Sequence, residues 1–320
     1  MNPKLPLLLC LLAAATYFWV TSRNSFRADD AGLPPVGESF AEMHVHDIRP
    51  MDPAGVSGVQ LVTQAAERLL AGAPVHAHAR FKVDLLGQEI AAPGHYWQAG
   101  EDSGQSRLEF SYTSDTSRLS VLQVSDGRYF YWYRKLDADA RLEYVDLQQV
   151  EQLGAQERDY LAGAQAWNSV GGLPSMLAHL AKAFTFEPPM SAMLDEIPVT
   201  VVRGRWKQEA LVRLLEGQVP QESLSGDDWW QHVPAHVPHA VELTLGADER
   251  FPLFPYRVVF TQYRRQPQGI TADPVLVLEL FEVEQVAEIP ERIFQVSAVS
   301  CEPVDITAFY VDRVEQFTRR

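Results

Sequence analysis

The chain has 320 residues, of which 46% are hydrophobic and 22% are charged, with a formal net charge of -15. This composition is ordinary for a globular protein and supplies enough apolar side chains for a sizeable core. The negative charge argues against a nucleic-acid partner, because phosphates would be repelled over most of the surface. The basic pairs Arg134-Lys135 and Arg264-Arg265 are isolated and do not offset this repulsion.

The N-terminus has the pattern of a targeting segment. An apolar run from Leu5 to Val20 follows the basic residue Lys4, and it is shorter than the about 20 residues that a membrane-spanning helix needs. No small-residue cleavage pattern follows it, so residues 1–22 are predicted to be either a signal peptide or an uncleaved signal anchor. The remainder is expected in the periplasm or cell envelope, and an uncleaved segment would anchor it to the inner membrane. Cys301 is the only cysteine beyond this segment, so no internal disulfide is expected.

A segment without periodicity separates the N-terminus from the folded body. Residues 23–57 contain four prolines and several Gly and Asp residues, which predicts a flexible tether. The body, residues 58–320, begins with apolar residues at helical spacing from Val59 to Ala71. Gly72 and Pro74 end this predicted helix.

The first half of the body has the pattern of antiparallel strands. From Val75 to Leu85, apolar residues alternate with polar ones, which gives a long strand one apolar and one polar face. Asp126-Gly127 separates two further alternating runs. We predict a hairpin there, because this dipeptide supplies the positive φ angles of a two-residue turn. The other strands predicted in this half are Ile90 to Gln98, Leu108 to Tyr112 and Leu142 to Val145.

The second half combines helices with more strands. Helical spacing recurs around Val150 and Leu153 and again from Leu173 to Phe184, after the Gly171-Gly172 entry. A short helix is predicted from Gln208 to Leu215. The predicted strands are Phe184 to Phe186, Ile197 to Trp206, Ala240 to Leu245, Tyr256 to Tyr263 and Val275 to Val286. This pattern predicts an α+β fold, with a strongly curved, mainly antiparallel sheet forming an open half-barrel and helices covering its concave face.

The hairpin around Asp126-Gly127 resembles a known family. An apolar strand from Leu122 enters this turn, the aromatic run Tyr129 to Tyr133 leaves it, and Val145-Asp146-Leu147 then opens a helix. A later hairpin, around Pro252 to Tyr256, continues this order of elements. In this order the chain resembles a distant relative of the outer-membrane lipoprotein carriers and lipoprotein-sorting proteins, the LolA/LolB-like family. The resemblance implies a half-barrel whose concave side holds acyl chains. It also implies a lipid or a lipid-modified protein as the ligand, whereas a permanent anchor would indicate a tethered receptor or sensor.

Aromatic residues are the main candidates for such a groove. On one predicted strand Tyr129, Tyr131 and Tyr133 point to one side, while Phe130 and Trp132 point to the other. A sheet covered on both sides by its own chain is the alternative, and the commoner one, because aromatic stripes are usually core. Trp229-Trp230 could likewise cover the mouth of a groove, although we favour packing against the sheet. The predicted groove residues are Phe81, Val83, Tyr96, Phe110, Tyr112, Tyr129, Tyr131, Tyr133, Trp229 and Trp230.

No motif predicts a catalytic or metal site. His232, His236 and His239 are close in sequence, but prolines lie between them and the spacing matches no recognised zinc motif. His76 and His78 share a strand face and could bind a metal as a pair, although the polar face of an alternating strand is the simpler interpretation. A Gly-x-Ser-x-Gly elbow is absent from the sequence. We therefore expect no catalysis, no cofactor and no metal.

The sequence thus predicts a non-catalytic cell-envelope protein that binds a lipid, an acyl chain or a lipoprotein in a hydrophobic groove. Its expected partners are a lipid or lipid-modified protein and, through the N-terminal segment, the membrane. The leading alternative is a membrane-tethered structural or sensory domain that acts by protein–protein contact. A metal-dependent hydrolase is the third hypothesis, which converging His and Asp side chains near His232 would favour.

Overall fold

The structure is a computed structural model, and it describes residues 43–51, 56–85, 88–113, 118–152, 170–226, 228–234, 237–267, 269–296, 301–309 and 311. The strands in these ranges are β1 Val45–Pro50, β2 Val75–Leu85, β3 Gln88–Gln98, β4 Gln105–Thr113, β5 Arg118–Asp126, β6 Tyr129–Leu136, β7 Asp139–Asp146, β8 Phe184–Phe186, β9 Met190–Leu194, β10 Ile197–Trp206, β11 Ala240–Gly246, β12 Pro255–Gln266, β13 Gly269–Gln285 and β14 Pro303–Asp305. The α-helices are α1 Gly58–Ala71, α2 Leu147–Glu151, α3 Gly172–Ala183 and α4 Gln208–Leu214. The predicted signal segment 1–22 lies outside the described residues, as does Leu153.

All fourteen strands belong to one sheet. Its order is β1-β9-β10-β11-β12-β13-β2-β3-β4-β5-β6-β7-β14, with β8 paired to β10 beside this path. Every pairing is antiparallel except that of β14 with β7. The path ends at β1 on one edge and β14 on the other without closing over the described strands. The predicted open, mainly antiparallel half-barrel with a few helices is confirmed.

Helix α1 begins where its local sequence can satisfy the free N–H groups of its first turn. The Ser57 hydroxyl accepts from the Gln60 N–H, and the Gln60 side chain accepts in return from the Ser57 N–H. This reciprocal capping box supplies partners for donors that a helix start otherwise leaves unpaired. The helix ends at Gly72, whose N–H donates to the Arg68 carbonyl. The predicted helix from Val59 to Ala71 is confirmed to within one residue.

The two longer helices lie on one face of the sheet, which we call the inner face. Val62, Ala65 and Leu69 of α1 and Leu177 and Leu180 of α3 are buried in a single apolar cluster. The same cluster contains alternate residues of the central strands, including Ala77, Ala79, Leu243, Val258, Leu278 and Leu280. Burial of this apolar area, at roughly 25 cal/mol per Å², is the main stabilising term of the fold.

The opposite, outer face carries a row of alternating charges across five strands. Arg203 of β10 lies 2.8 Å from Glu242 of β11, which also faces Arg257 of β12 at 3.8 Å. Arg257 lies 3.5 Å from Glu279 of β13, and Arg80 of β2 lies 2.6 Å from the same carboxylate. Glu279 and Arg80 are buried, so the centre of this row is a desolvated ion pair and not a solvated surface.

The C-terminal part of the chain crosses the outer face. After β13 a 3₁₀ turn, Glu291–Phe294, lies against β4 and β5, and β14 then adds beside β7. The Arg107 guanidinium donates to the Ile293 carbonyl at 3.0 Å. Phe294 is fully buried. Part of the outer face is therefore covered by the protein's own chain.

Two sequence predictions need correction. Residues Val45–Pro50 lie in the segment predicted to be a tether, but they form strand β1 and pair with β9. At the predicted hairpin only Gly127 has a positive φ, 94°. Asp126 acts through its carboxylate, which accepts from the N–H groups of Arg128 and Tyr129. This side-chain to backbone bonding replaces the second positive φ angle that we expected.

Candidate ligand-binding site

A cavity opens between helix α1 and the loop that joins β11 to β12. Its volume is about 380 Å³, which lies in the range typical of small-molecule sites. One wall is formed by Ala65 and Leu69 of α1 and by Val75 at the start of β2. The opposite wall is formed by Phe251, Pro252, Leu253 and Phe254. The lining is predominantly apolar.

Two arginines are the charged residues of this lining. Arg68 lies in the last turn of α1, and Arg250 lies in the loop, with its guanidinium 5.1 Å from the centre of the Phe251 ring. Among the described residues neither guanidinium forms an ion pair with a carboxylate. In a chain with a net charge of -15, the lining of this cavity therefore carries positive charge only.

Hydrogen bonds hold both walls of the cavity in place. The Glu101 and Asp102 N–H groups, from the β3–β4 turn, donate to the Gly72 and Leu70 carbonyls at the end of α1. These bonds satisfy carbonyls that a helix end otherwise leaves free. In the loop, the Asp248 carboxylate accepts from the N–H groups of Arg250 and Phe251. The walls are therefore preformed, which lowers the entropic cost of binding.

The predicted groove residues on β2, β3 and β4 lie elsewhere. Tyr96 is 1% exposed and its hydroxyl donates to the Gln98 side chain at 2.8 Å, while Phe110 is also buried. Both belong to the inner-face core, and the half-buried Phe81 and Tyr112 pack against it. Val83 is buried. None of these five residues lines the cavity.

The tyrosines of β6 lie on the outer face. Tyr131 is the cross-strand partner of Tyr144 and Val124, in the row that also contains Arg107. Cross-strand partners share a face, so Tyr129, Tyr131 and Tyr133 point away from α1 and α3, and all three are half-buried. Phe130 and Trp132 point to the opposite side and are buried.

Trp229 and Trp230 pack around a buried histidine. The ring of His239 is 5.6 Å from that of Trp229, 6.2 Å from that of Trp230 and 5.4 Å from that of Tyr263. Trp230 and His239 are buried, whereas Trp229 is half-buried. The sequence hypothesis that the tryptophans cover a groove mouth thus gains no support from the cavity, which neither residue lines.

Among the described residues, His232 and His239 belong to no group that could hold a metal ion. His232 is exposed in the 3₁₀ turn Trp229–His232, and His236 lies outside the described residues. His239 accepts a hydrogen bond at Nδ1 from the Tyr263 N–H at 2.7 Å. Its Nε2 is buried and has no hydrogen-bond partner. These observations assign His239 to the core.

Protonation of buried histidines should make stability depend on pH. Burial lowers the pKa of His239 to about 4, and burial, with a smaller effect of Lys182, lowers the pKa of His179 to about 4. The same two histidines titrate near pH 6.5 in the unfolded chain. Above that pH, we therefore expect neither histidine to make the unfolding free energy depend on pH. It should fall between about pH 6.5 and pH 4, by roughly 3 kcal/mol for His239. Urea unfolding measured across this range checks the expectation.

His239→Asn is the variant that isolates one of the two groups. The Asn oxygen can accept from the Tyr263 N–H, as Nδ1 does, but the amide does not titrate. We expect the variant to lose stability at pH 7.5 through lost ring packing, and to lose less additional stability at pH 4.5 than the parent chain. An unchanged pH dependence would show that His239 does not carry the effect.

The sequence offered only partial signals for the cavity. The hairpin around Pro252 to Tyr256 was part of the resemblance, and it supplies one wall. Arg68 and Arg250 are 182 positions apart, and no local pattern distinguishes them from other surface arginines. Their presence in one cavity depends on sheet order, which places β13 between β12 and β2.

Comparison with known proteins gives matches in structure only. No protein-family model and no curated protein matches the chain. Among solved structures, the chain is similar to an outer membrane lipoprotein-sorting protein domain from Vibrio parahaemolyticus, with 9% identity, 75% of this chain and 97% of that chain covered, and a TM-score of 0.34. It is also similar to a LolA superfamily protein from Nitrosomonas europaea, with 10% identity, coverage of 77% and 100%, and a TM-score of 0.31. For the lipoprotein LppX from Mycobacterium tuberculosis the identity is 14%, the coverage 75% and 100%, and the TM-score 0.34.

The solved structures that this chain resembles therefore include members of the LolA/LolB-like family, the resemblance predicted from the Asp126-Gly127 hairpin. At TM-scores of 0.34 or less the likeness supports no conclusion about function. Within the described residues, no helix has the length and apolar character needed to cross a membrane.

Proposed function

We propose that this protein is a non-catalytic binding protein of the cell envelope, and that its cavity takes the acyl chain of an amphiphile with an anionic headgroup. The observation that carries the proposal is the apolar cavity of about 380 Å³ with Arg68 and Arg250 in its lining. The predicted envelope location rests on the N-terminal sequence alone.

The apolar walls account for the chain and the arginines for the headgroup. Each methylene buried against residues such as Leu69 and Phe254 contributes about 0.8 kcal/mol. Guanidinium groups bind carboxylate or phosphate through paired hydrogen bonds, which are stronger than bonds between neutral groups. An anionic amphiphile uses both features of the lining, whereas a neutral lipid uses only the walls.

The first test is to measure what the chain binds. Native mass spectrometry of the purified full-length chain, followed by lipid extraction, should show co-purifying acyl-chain species close to one per chain. Added palmitate should bind to lipid-free protein. A clean unliganded mass with no binding of palmitate or of a diacylated lipopeptide would contradict the proposal and favour an envelope domain that acts by protein contact.

A second test places the ligand in this cavity. Ala73 lines the cavity and is exposed, so Ala73→Trp should fill the space without disturbing the core and should weaken palmitate binding by at least about tenfold. Gln64→Trp is the matched control, because Gln64 lies exposed on α1 outside the lining. Equal binding by both variants would exclude this cavity as the site.

The charge selectivity is tested separately. Arg68→Gln with Arg250→Gln should weaken the binding of palmitate by about tenfold or more, since hydrogen bonds to charged groups contribute about 1.5–3 kcal/mol. Binding of a neutral monoacylglycerol with the same chain should change little. If both ligands lose affinity equally, the arginines act through packing and the headgroup part of the proposal fails, while the acyl-chain part stands.

A further inference from the structure

The outer face carries a cluster of three histidines that the cavity does not use. His76 and His78 lie on β2, and His95 of β3 is the cross-strand partner of His78. Nε2 of His76 is 3.2 Å from Nδ1 of His95. The ring centre of His78 is 4.8 Å from that of His95 and 5.7 Å from that of His76. All three side chains are partly exposed.

These spacings match those of imidazoles that share a metal ion. In a tetrahedral site with Zn–N bonds of about 2.0–2.1 Å, two ligating nitrogens lie about 3.3 Å apart and their ring centres lie about 5 Å apart. The His76–His95 pair has this nitrogen separation already. A hydrogen bond between the two rings gives a similar distance, so this nitrogen separation does not by itself define a metal site.

A strained bulge in the neighbouring strand β13 places a carboxylate beside the cluster. Between Phe281 and Glu284 the register of β13 against β2 shifts by one residue, and Glu282 has a positive φ of 50°. A non-glycine residue in this conformation is uncommon and strained. The bulge brings the Glu282 carboxylate to 3.6 Å from Nε2 of His78. Bulges often redirect a side chain in this way beside functional sites.

We propose that His76, His78 and His95, with the carboxylate of Glu282, bind one divalent transition-metal ion of the zinc, nickel and copper group. Neutral imidazole suits these ions, whereas Ca²⁺ and Mg²⁺ prefer oxygen ligands. Burial lowers the pKa of His76 and of His95, and the neighbouring imidazoles lower both further, which favours the neutral form that binds a metal.

One side chain has to move for the site to form. Among the described residues, no group of three or more His, Cys, Asp or Glu side chains is arranged to hold a metal ion in this conformation. The His76 and His95 nitrogens are in place, and the ring of His78 has to rotate toward them. Its side chain is 35% exposed, and its ring lies 5.8 Å from that of Phe281.

Metal binding can be measured on the full-length chain without a histidine tag. Calorimetric titration with Zn²⁺ should give one ion per chain. His76→Ala and His95→Ala should each weaken Zn²⁺ binding by about tenfold or more, because even the loss of a residue that only orients a ligand costs 10–100-fold. His95→Gln keeps a polar side chain of similar size and should show the same loss, which guards against misfolding as the cause.

A tryptophan beside the cluster reports where the ion binds. Trp97 stacks on His76 and His95, with ring centres 5.1 and 5.2 Å apart, so bound Cu²⁺ should quench its fluorescence. Trp97→Phe should keep the Zn²⁺ affinity and lose most of the saturable quenching. His46→Ala and His232→Ala, at exposed histidines outside the cluster, should leave both signals unchanged. The proposal is overturned if Zn²⁺ does not saturate at one per chain, or if the His76→Ala/His95→Ala double variant binds it as tightly as the parent.

Discussion

Replacing Glu279 with alanine should destabilise the protein by about 3–5 kcal/mol. The Glu279 carboxylate is 2% exposed and lies 2.6 Å from Nε of Arg80 and 3.5 Å from Nε of Arg257. Its removal takes this carboxylate away from the buried Arg80 guanidinium, and breaking a buried ion pair by removing one partner is strongly destabilising. Urea unfolding of Glu279→Ala at pH 7 measures the loss.

The double variant Arg80→Met/Glu279→Leu distinguishes the pair from simple packing. It removes both charges and keeps the volume, so it should recover most of the stability lost in the single variant. Arg257 retains Glu242 at 3.8 Å. Glu187→Ala is the surface control, because its ion pair with Arg205 is exposed, and it should cost less than about 1 kcal/mol. A double variant no more stable than Glu279→Ala would show that the buried charges do not set the cost.

The same ion pair shows how far the sequence could reach. Alternation from Val75 to Leu85 predicted strand β2 and assigned Arg80 to its polar face, and the strand is where it was predicted. The alternation does not show whether this polar face is solvated or buried. The burial of Arg80 depends on Glu279, a residue 199 positions away, and on sheet order. Periodicity determines which way a side chain points, but it does not determine what lies opposite.

Edge strands were harder to predict than central ones. β1 is six residues long and carries Pro50 at its end, and β14 has three residues, all exposed. Neither shows alternation strong enough to identify a strand, because each is stabilised by pairing with β9 or β7. Their existence is a tertiary effect that overrides weak local propensity.

The residues of the two proposed sites are hard to identify from the sequence for the same reason. Sequence reasoning selected aromatic residues, and Tyr96 and Phe110 instead fill the core. The cavity is formed by residues of α1 together with a distant loop, and no sequence pattern shows that these two segments lie beside each other. His76 and His78 were recognised as a possible metal pair, but His95 joins them only through the β2–β3 register. A binding site whose residues come from different strands cannot be identified from the sequence of any one strand.

Phe130→Ala should cost about 3–5 kcal/mol, whereas Tyr131→Ala next to it should cost clearly less. Phe130 is fully buried, its ring meets Trp132 edge to face at 4.7 Å, and Gly172 at the start of α3 lies close to it. Loss of the ring leaves a cavity under the helix and removes an aromatic pair. Tyr131 is half-buried on the outer face, where solvent can fill the vacated space.

This pair of variants decides which face of β6 is core, the question that the alternating aromatic run left open. Chemical unfolding of both variants measures the two losses. If β6 instead presents Phe130 to a ligand groove, Phe130→Ala should change lipid binding and lose little stability, because an open groove has no packed neighbours to leave behind. A loss for Tyr131→Ala equal to that for Phe130→Ala would contradict the assignment of the inner face. The expected asymmetry follows from α3, whose N-terminus lies over Phe130 and excludes water from that side of the strand.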